Sequence, residues 1–457
     1  MSHSFKQLPL PAAQQDNLTE LGYFDMTDIQ QASLPDVLSG KDVIGQAKTG
    51  SGKTVAFGLR LIDCLHVKFF APQALVLCPT RELAGQVANA LRKLARYQQN
   101  IKIITLSGGM PLGPQFASLE KGGHIIVGTP GRVKDLIQKG KLDLSEVKVS
   151  VLDEADRMLE MGFHEDVEMI LNECKPDRQS LLFSATFNAE IEKIAQTMMI
   201  DPVWIKGTQE DTPEDITHHF FEVEHSDKPE ALFSVLQQFL PKQVMLFCNT
   251  KAYCQEISDY LNDHGIVTRA LHGDMEQKER DQTLTLFSNQ SITAVVATDV
   301  AARGLDIANM PCVINVDLPK QIDVFVHRVG RTGRNKSKGQ AITFITSRQK
   351  NLISNYEELI SQSIRIKTIT EKQQNKLPLP EFQTIMLASG KKDKIRPGDI
   401  VGALTQGAGV NSQDIGDINV LPVVTYVAIN RKIANHAVGK LSRTKIKNRS
   451  IKMRLVD

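Results

Sequence analysis

Short apolar runs alternate with longer amphipathic segments along most of this chain, and the alternation occurs in two separate blocks. The first block runs from Val43 to about Lys206, and the second covers about residues 217–366. Alternating strand and helix patterns favour a parallel sheet with helices on both faces. At 457 residues the chain is also too long for a single hydrophobic core. The sequence therefore predicts two α/β domains in tandem.

The apolar runs give the predicted strands, and the amphipathic segments give the predicted helices. In the first block strands are expected at Ala74–Cys78, Ile101–Leu106, Ile125–Val127, Val149–Leu152 and Ser180–Phe183, with helices at Arg81–Arg96 and Phe187–Met199. In the second block strands are expected at Val244–Cys248, Thr268–Leu271, Ala294–Thr298, Cys312–Val316 and Gln340–Ile345, with helices at Lys251–Gly265 and Gln277–Ser288.

Two polar, proline-containing segments separate the domains. Linkers are predicted at residues 207–216 and 367–381, which leaves domains at residues 1–206, 217–366 and 382–457. The last domain has a β-α-β-β-α-β order, the split ferredoxin-like order of many RNA-binding domains. The expected fold class is therefore α/β, with two parallel-sheet domains followed by a small α+β domain.

The charge distribution sets the last domain apart. Residues 382–457 hold 13 Lys and Arg against 5 Asp, a net charge of +8, whereas the rest of the chain holds 41 basic against 47 acidic residues, a net charge of −6. A basic domain on a mildly acidic body suggests a polyanionic partner. The alternative is a solvated basic face without a partner.

No segment indicates export or membrane insertion. No apolar run approaches the length of a transmembrane helix, and Met1–Leu10 lacks the apolar core of a signal peptide. The six cysteines are scattered without a Cys-x-x-Cys pair, so neither a zinc site nor a redox motif is expected. Buried thiols, a cytoplasmic location and no membrane partner are predicted.

A glycine-rich segment after the apolar pair Val43-Ile44 has the pattern of a phosphate loop. Gly50 and Gly52 allow a tight turn that brings backbone N–H groups against phosphate oxygens, and the helix that follows adds its positive end. Lys53 is expected to reach the β and γ phosphates, and the Thr54 hydroxyl to bind magnesium. The alternative is a glycine-rich turn that only caps a helix. The predicted triphosphate-binding residues are Ala47, Lys48, Thr49, Gly50, Ser51, Gly52, Lys53 and Thr54.

An acid cluster follows another apolar run, at Val149–Asp156. Adjacent carboxylates at the end of a buried strand are costly unless they hold a metal or do chemistry. With a phosphate loop in the same domain, Asp153 is expected to hold magnesium through water, and Glu154 to position or deprotonate the attacking water. The alternative is an acid cluster that the dipole of a helix N-terminus favours.

Three arginines at three-residue spacing, Arg328, Arg331 and Arg334, lie in His327–Arg334 and are expected to form a phosphate-facing edge. An arginine brought to the γ phosphate stabilises the charge of the transition state and contributes several kcal/mol, about 4 to 7 in well-studied cases. Because these arginines and Lys53 belong to different predicted domains, catalysis is expected to require closure of the two domains. The alternative is an exposed basic segment.

These motifs, in this order, resemble those of the DEAD-box RNA helicases across about residues 5–345. The resemblance implies two RecA-like domains, ATP and Mg²⁺ as cofactors, and RNA as partner. It also implies that Gln30 reads the adenine edge while Tyr23 stacks on the base. Residues with implied RNA contacts in the first domain are Pro79, Thr80, Arg81, Gly108, Gly109, Thr129, Pro130, Gly131 and Arg132.

The same resemblance assigns roles in the second domain and in the coupling of hydrolysis to RNA handling. Arg280 and Thr298 would face the RNA backbone, and Asp306 would meet the ATP ribose. Arg331 and Arg334 look like arginine fingers. The implied coupling residues are Asp156, which would sense domain closure, Ser184, Thr186, and His327, which would bridge the domains.

The last domain contains the segments Lys391-Lys392, Arg396–Thr405, Asp414-Ile415-Gly416 and Tyr426-Val427-Ala428. With these segments it resembles the C-terminal RNA-binding domain of the bacterial DbpA subgroup. This implies an RRM-like fold that binds a hairpin of 23S ribosomal RNA during assembly of the large ribosomal subunit. Its central strands carry only one aromatic, Tyr426, which is equally compatible with a position in the core, so base stacking on the sheet is not expected. The predicted contacts are instead basic, unless these side chains only aid solubility: Lys391, Lys392, Lys394, Arg396 and the Lys440–Arg449 segment.

The sequence thus predicts an RNA-dependent ATPase and helicase that opens short RNA duplexes locally and acts as a monomer. Two other classes remain open at this point. One is a non-catalytic RNA-binding assembly factor, and the other is a DNA translocase of related architecture.

Overall fold

The computed structural model describes residues 3–47, 50–187, 189–206, 216–302, 310–333, 338–369 and 375–456. The described residues form two compact units, one before residue 207 and one after residue 215. Among the described residues, no helix has both the length and the apolar character needed to cross a membrane.

The first unit is built on a parallel sheet of seven strands within the described residues. Its strands are β1 Val43–Gln46, β2 Ala74–Leu77, β3 Ile103–Leu106, β4 Ile125–Gly128, β5 Val149–Asp153, β6 Gln179–Ser184 and β7 Val203–Lys206. Its helices are α1 Ala12–Glu20, α2 Asp28–Leu38, α3 Lys53–Asp63, α4 Arg81–Leu94, α5 Leu112–Glu120, α6 Pro130–Gln138, α7 Ala155–Glu160, α8 His164–Asn172 and α9 Ala189–Met198. The strand order is β3-β4-β2-β5-β6-β1-β7.

Helices cover both faces of this sheet, as the alternating pattern predicts. One apolar cluster holds Phe57 of α3 and Leu91 of α4 with Val76 of β2. The other holds Leu136 of α6 and Ile170 of α8 with the neighbouring positions of the same strands. Because the strands are buried on both faces of the sheet, their sequences are continuously apolar.

The second unit begins with another parallel sheet of seven strands in its described part, in the order β10-β11-β9-β12-β13-β8-β14. The strands are β8 Ile216–Glu222, β9 Val244–Phe247, β10 Thr268–Leu271, β11 Ala294–Ala297, β12 Cys312–Asn315, β13 Gly339–Ile345 and β14 Ile366–Lys367. The helices are α10 Lys228–Phe239, α11 Lys251–Asp263, α12 Gln277–Ser288, α13 Asp299–Ala302, α14 Ile322–Val329 and α15 Ile353–Ile360.

The C-terminal domain, which belongs to the second unit, has an antiparallel sheet in the order β16-β17-β15-β18. Its strands are β15 Phe382–Leu387, β16 Ile415–Val420, β17 Thr425–Asn430 and β18 Met453–Val456, and its helices are α16 Pro397–Gly402 and α17 Ala434–Leu441. Both helices pack on one face of the sheet, where Ile385, Ile400, Val427 and Leu441 share a core. The predicted α/β class with a small RRM-like α+β domain is confirmed.

Strands β8 and β14 lie outside the predicted set, and each includes a residue of a predicted linker. Strand β8 begins at Ile216, the last residue of the first predicted linker, and Lys367 of the second predicted linker pairs with β8 through β14. The rest of the first linker, residues 207–215, and residues 370–374 of the second lie outside the described residues.

Candidate functional site

The predicted nucleotide-binding segments follow three adjacent strands of the first sheet. The phosphate loop follows β1, the acid cluster follows β5, and Ser184-Ala185-Thr186 follows β6. Strands β5, β6 and β1 are neighbours and parallel, so their carboxyl ends open onto one stretch of the sheet edge. This edge is where parallel α/β sheets bind ligands.

The phosphate loop turns at two glycines in the left-handed region, Gly50 with φ 87° and Gly52 with φ 92°. Helix α3 begins immediately afterwards at Lys53. The backbone N–H of Ala47 donates to the carbonyl of Ser184 at 2.8 Å, which fixes the start of the loop to β6. The predicted contacts Lys48 and Thr49 lie outside the described residues.

Helix α2 holds this loop from the side. Gln30 is buried, and its Nε2 donates to the carbonyl of Gly52 at 2.9 Å. Its Oε1 accepts from the N–H of Thr27 at 2.9 Å, and the Thr27 hydroxyl donates to the carbonyl of Ser51 at 2.7 Å. A nucleotide-dependent change at Gln30 would therefore reach the phosphate loop directly. The adenine contacts of Gln30 and of Tyr23, which is partly exposed, stay predictions.

A buried charge cluster joins the loop to the end of β5. Lys53 Nζ lies 3.0 Å from Asp153 Oδ1 and 4.0 Å from Glu154 Oε1, and all three residues are buried. Burial lowers the pKa of Lys53, but the facing carboxylates outweigh it, so the pKa is raised and the ammonium stays charged. Burial raises the pKa of Asp153, and the nearby lysine offsets only part of that rise. This single ammonium therefore faces two buried carboxylates, an arrangement that favours a further cation.

Glu154 has an unusual backbone for its residue type. It lies in the left-handed region, with φ 56° and ψ 53°, between the end of β5 and the start of α7. Such a conformation costs a non-glycine residue about 1 to 3 kcal/mol and is concentrated at functional sites. The surrounding structure therefore holds this carboxylate in an orientation that the local chain does not favour.

Asp156 connects the acid cluster to the segment after β6. Its Oδ2 accepts from the N–H of Ala185, the N–H of Thr186 and the Thr186 hydroxyl, each at 3.2 Å. The Ser184 hydroxyl in turn donates to the carbonyl of Thr186 at 2.7 Å. The structure therefore brings together the three described residues of the first unit that are predicted to couple hydrolysis to RNA handling.

The predicted RNA-contacting residues of the first unit follow the other half of the same sheet. They lie in the loops after β2, β3 and β4, which are adjacent in the sheet. Arg132 Nη1 donates to the carbonyl of Met110 at 3.2 Å, which joins two of these loops. At Gly109, with φ 73°, a Cβ atom would meet the Arg81 guanidinium. The sheet edge therefore separates a nucleotide half from a predicted RNA half.

In the second unit, the predicted residues that are described lie at the carboxyl ends of strands or in nearby helices. Thr298 follows β11 and is buried, and Arg280 in α12 is also largely buried. His327 lies in the last turn of α14, and Arg331 follows that helix. The predicted contacts Asp306 and Arg334 lie outside the described residues.

One arginine of this segment has a role that the spacing pattern does not indicate. Arg328 is fully buried among polar groups of the second sheet, whereas the spacing pattern predicts that the arginines lie together on a phosphate-facing edge. The burial of Arg328 could have been predicted from its neighbours, because Arg328 lies in the apolar sequence of α14 and precedes the buried residue Val329.

In the C-terminal domain, the two predicted basic segments lie against each other. Lys447 Nζ donates to the carbonyl of Lys394 at 2.6 Å and lies 3.0 Å from Asp399 Oδ2. Arg449 Nη1 lies 3.8 Å from Asp393 Oδ1. The exposed basic side chains around these contacts are here called the basic surface: Lys391, Lys392, Lys394, Arg396, Lys447 and Arg449.

The sheet face of the same domain is covered by the second parallel-sheet domain. Thr384 Oγ1 accepts from Asn289 Nδ2 at 3.1 Å and shares a hydrogen bond with the Ser291 hydroxyl at 2.7 Å. Asn419 Nδ2 donates to Asn289 Oδ1 at 2.8 Å. Tyr426 on this face is 2% exposed, and burial together with nearby Asp281 raises its pKa. The absence of base stacking predicted for this face agrees with its burial.

Together, a phosphate loop on a doubly wound parallel sheet, a second such sheet and a basic RRM-like domain indicate an RNA-binding nucleoside triphosphatase. Three family models match the chain: DEAD/DEAH box helicase at residues 27–194, helicase conserved C-terminal domain at residues 227–336, and DbpA RNA binding domain at residues 384–455. The chain thus belongs to the DEAD-box ATP-dependent RNA helicases.

Whole-chain relatives narrow the assignment. The chain is 44% identical to the ATP-dependent RNA helicase DbpA of Escherichia coli over 98% of each chain. It is 36% identical to DbpA of Bacillus subtilis, over 95% of this chain and 96% of that protein. Among solved structures it resembles Saccharomyces cerevisiae Dbp5 bound to RNA and ADP BeF3, with a TM-score of 0.71 and 27% identity over 80% of this chain and 96% of Dbp5. Within the family, the chain is a member of the DbpA subgroup.

This membership decides between the classes that the sequence left open. An ATP-dependent RNA helicase is confirmed, rather than a non-catalytic assembly factor or a DNA translocase.

Proposed function

We propose that this helicase opens short RNA duplexes locally, and that its C-terminal domain directs it to a hairpin of 23S ribosomal RNA during assembly of the large ribosomal subunit. The proposal is supported by the relatives named DbpA and by the basic surface of the C-terminal domain. The predictions of a monomer and of a cytoplasmic location belong to this proposal.

A magnesium–triphosphate group fits the residues at the nucleotide half of the first sheet. Within the described part of the chain, Asp153 Oδ2 and the Ser51 hydroxyl are buried without a hydrogen-bond partner, and Lys53 Nζ lies 3.0 Å from the other oxygen of Asp153. Asp153 and the Thr54 hydroxyl would hold the metal, and Lys53 would bind phosphate oxygens. When bound, magnesium neutralises phosphate charge.

Glu154 is proposed to orient the attacking water and accept its proton. Its buried carboxylate, 4.0 Å from Lys53 Nζ, is held by the strained backbone described above. Asp156 would report the state of this site to Ser184 and Thr186, because its carboxylate binds their segment directly. Arg331 of the second unit is proposed to stabilise charge on the γ phosphate.

The observation that carries the RNA part of the proposal is the chemical difference between two surfaces, the predicted RNA half of the first sheet and the basic surface of the C-terminal domain. The predicted RNA half of the first sheet offers hydroxyls, glycine N–H groups and arginines, which suit phosphate and ribose oxygens and carry no base code. Selectivity then falls to the C-terminal domain, whose exposed surface includes two adjoining basic segments. A non-selective core and a selective basic domain together suit a helicase that acts at one RNA site.

The role of Glu154 is tested by Glu154→Gln in the full chain. The variant should bind ATP and RNA with affinities like those of the unaltered protein, yet turnover should fall by at least about 100-fold, because general-base assistance is worth that much or more. Glu168→Gln, an exposed acid in α8, is the matched control and should hydrolyse ATP normally. Hydrolysis at the unaltered rate in Glu154→Gln would remove Glu154 from the mechanism.

Targeting is tested by charge removal at the basic surface in the full chain. Truncation is less suitable, because the C-terminal domain buries Asn289 and Ser291 of its neighbour. Lys391→Gln with Lys392→Gln should reduce the preference for the 23S hairpin over an unstructured strand of equal length.

The matched control for this test is Lys432→Gln at the opposite end of the C-terminal sheet, where Phe382 pairs with Asn430. Lys432→Gln removes one charge and should have little effect on the preference for the 23S hairpin over the unstructured strand. Equal effects of both changes would indicate unspecific attraction, and an unchanged preference would move selectivity into the core. Stimulation of ATP hydrolysis by RNA but not by DNA strands should accompany the hairpin preference.

A further inference from the structure

Strand β10 lies at one edge of the second parallel sheet, as far as that sheet is described. The carbonyl of Leu271 accepts from the N–H of Thr298 at 3.3 Å, so the backbone groups of Leu271 point towards β11. Along a strand, the backbone groups of successive residues point alternately to the two sides, so those of Thr268 and Ala270 point to the open side. The edge therefore offers two residues for pairing.

The side chain of Asn262 already pairs with the first of these residues as a neighbouring strand would. Its Oδ1 accepts from the N–H of Thr268 at 3.0 Å, and its Nδ2 donates to the carbonyl of Thr268 at 3.0 Å. In the described part of the chain no hydrogen bond reaches the N–H or the carbonyl of Ala270, although this residue is only 6% exposed. Because nearly all buried backbone groups are paired, an unpaired donor and acceptor side by side indicate a place for a partner.

A cavity of about 680 Å³ lies against this unpaired position, and Ala270 is part of its lining. Ligand-binding pockets typically enclose about 300 to 1,000 Å³, so the size suits a ligand. The lining combines apolar side chains, among them Ile266 and Met275, with the carboxylates of Asp259 and Glu279. The cavity thus offers main-chain hydrogen bonds, apolar contact and negative charge together.

The charged residues of the cavity determine which side chain it suits. Asp274 also lines it, but its Oδ1 lies 2.6 Å from Lys251 Nζ, and this pair neutralises its charge. Asp259 and Glu279 are exposed acids, whereas Arg269 is a base in the same lining. Two carboxylates against one guanidinium favour a cation. A lysine or arginine side chain combines an apolar stem with a charged end and so matches both parts of the lining.

We propose that this cavity binds an extended peptide segment of a partner protein, which pairs with β10 at Ala270 and directs a lysine or arginine side chain towards Asp259 and Glu279. In such strand addition, main-chain hydrogen bonds give affinity, and pockets for alternate side chains give selectivity. Strand β10 has four residues, so a segment of about 13 Å suffices. Basic arms are typical of proteins that bind nucleic acid, so a protein that binds the same RNA as the helicase fits this partner.

The test uses defined peptides and the full chain. The probe is a fluorescein-labelled hexapeptide in which lysine alternates with valine, and its binding is followed by fluorescence anisotropy. It should bind at least about fivefold more tightly than the same peptide with glutamate in place of lysine, because exposed ion pairs contribute up to about fivefold each. The lysine peptide with N-methylated backbone nitrogens should bind at least about fivefold more weakly, because it cannot donate main-chain hydrogen bonds.

A charge-reversed protein tests whether the peptide binds in this cavity. Asp259→Lys with Glu279→Lys should reverse the preference, so that the glutamate peptide binds more tightly than the lysine peptide. Glu256→Lys with Asp263→Lys is the matched control, because these two acids of α11 are exposed but do not line the cavity. The control should keep the preference for the lysine peptide within about twofold, since distant exposed charges are screened.

The combined results decide the proposal. Reversed preference in the cavity variant, retained preference in the control and weak binding of the N-methylated peptide support it. Equal changes in both variants, undiminished binding of the N-methylated peptide, or no binding of the lysine peptide below about 1 mM would overturn it. Self-association of the unaltered protein that the cavity variant abolishes would make a second copy the occupant and overturn the choice of partner. The proposed function stands in every case, because no residue that lines the cavity is assigned to ATP or RNA.

Discussion

Replacing Thr384 by valine should loosen the C-terminal domain from the second parallel-sheet domain. The Thr384 hydroxyl is fully buried and makes hydrogen bonds with Asn289 Nδ2 at 3.1 Å and Ser291 Oγ at 2.7 Å. Valine has nearly the same shape, so the change removes the hydrogen bonds and leaves two buried polar groups without this partner.

The magnitude follows from those two groups. A buried polar group that loses its partner costs about 1 to 3 kcal/mol. Asn289 Oδ1 still accepts from Asn419 at 2.8 Å, so part of the network survives and the lower half of the range applies. At about 1 to 2 kcal/mol for each of the two groups, the expected cost is about 2 to 4 kcal/mol in total, or roughly a 30- to 900-fold increase in the population of the undocked state.

Hydrogen exchange measured by mass spectrometry is the suitable assay. Amides in residues 286–293 and 382–388 should exchange faster in Thr384→Val by about the factor given above, if they exchange through undocking. Thr425→Val is the matched control, because Thr425 is equally buried but donates to the carbonyl of Ser389 inside the C-terminal domain. Unchanged exchange in 286–293 in Thr384→Val would refute the argument that this polar contact holds the two domains together.

Three further predictions concern pH, the phosphate loop and salt. Burial lowers the pKa of His218 to about 4, below the unfolded value near 6.5, so the unfolded chain binds more protons between these values. Stability should therefore be complete above about pH 6.5 and fall by about 2 kcal/mol towards pH 4, allowing for partial exposure. Urea unfolding should show a weaker pH dependence in His218→Gln and an unchanged one in His436→Gln, an exposed control. Gly52→Ala should abolish ATP binding in a fluorescent-nucleotide titration, because Gly52 has φ 92° and an added Cβ would meet the Gln30 amide, whereas Gly85→Ala has open space and should bind normally. Replacing Lys391 and Lys392 by glutamine should lower the slope of log affinity against log salt by about 0.7 to 0.9 for each RNA phosphate that these lysines neutralise, and an unchanged slope would place the RNA elsewhere.

The central strands and the site on the first sheet could be predicted because their signals are local. Strands β2, β4 and β5 are buried on both faces, so each is a continuous apolar run. The phosphate loop and the acid cluster directly follow such runs. The parallel sheet then brings them together without any further information from the sequence.

Strands near the ends of the two parallel sheets and the docked sheet face could not be predicted in this way. Strand β7 includes the exposed residue Trp204, and β8 includes the polar pair His218-His219, so neither has the apolar pattern of a central strand. Thr384 and Asn289 are ordinary polar residues in sequence. Their burial depends on a contact between residues 95 positions apart, which no local pattern encodes.

The arginines in His327–Arg334 show that a three-residue spacing places side chains on one face only while the helix continues. Residues three apart on a continuous helix share one face, so the spacing alone places Arg328 and Arg331 on the same surface. Helix α14 ends at Val329, however, and Gly330 caps it. Arg328 therefore keeps the inward direction of the last helical turn, while Arg331 follows a different path after the cap. If Gly330→Ala were to extend the helix by a turn, Arg331 would be drawn towards the face of Arg328. RNA-stimulated hydrolysis should then fall while the affinity for RNA without nucleotide stays unchanged, and a normal rate in that variant would show that the helix end does not set the position of Arg331.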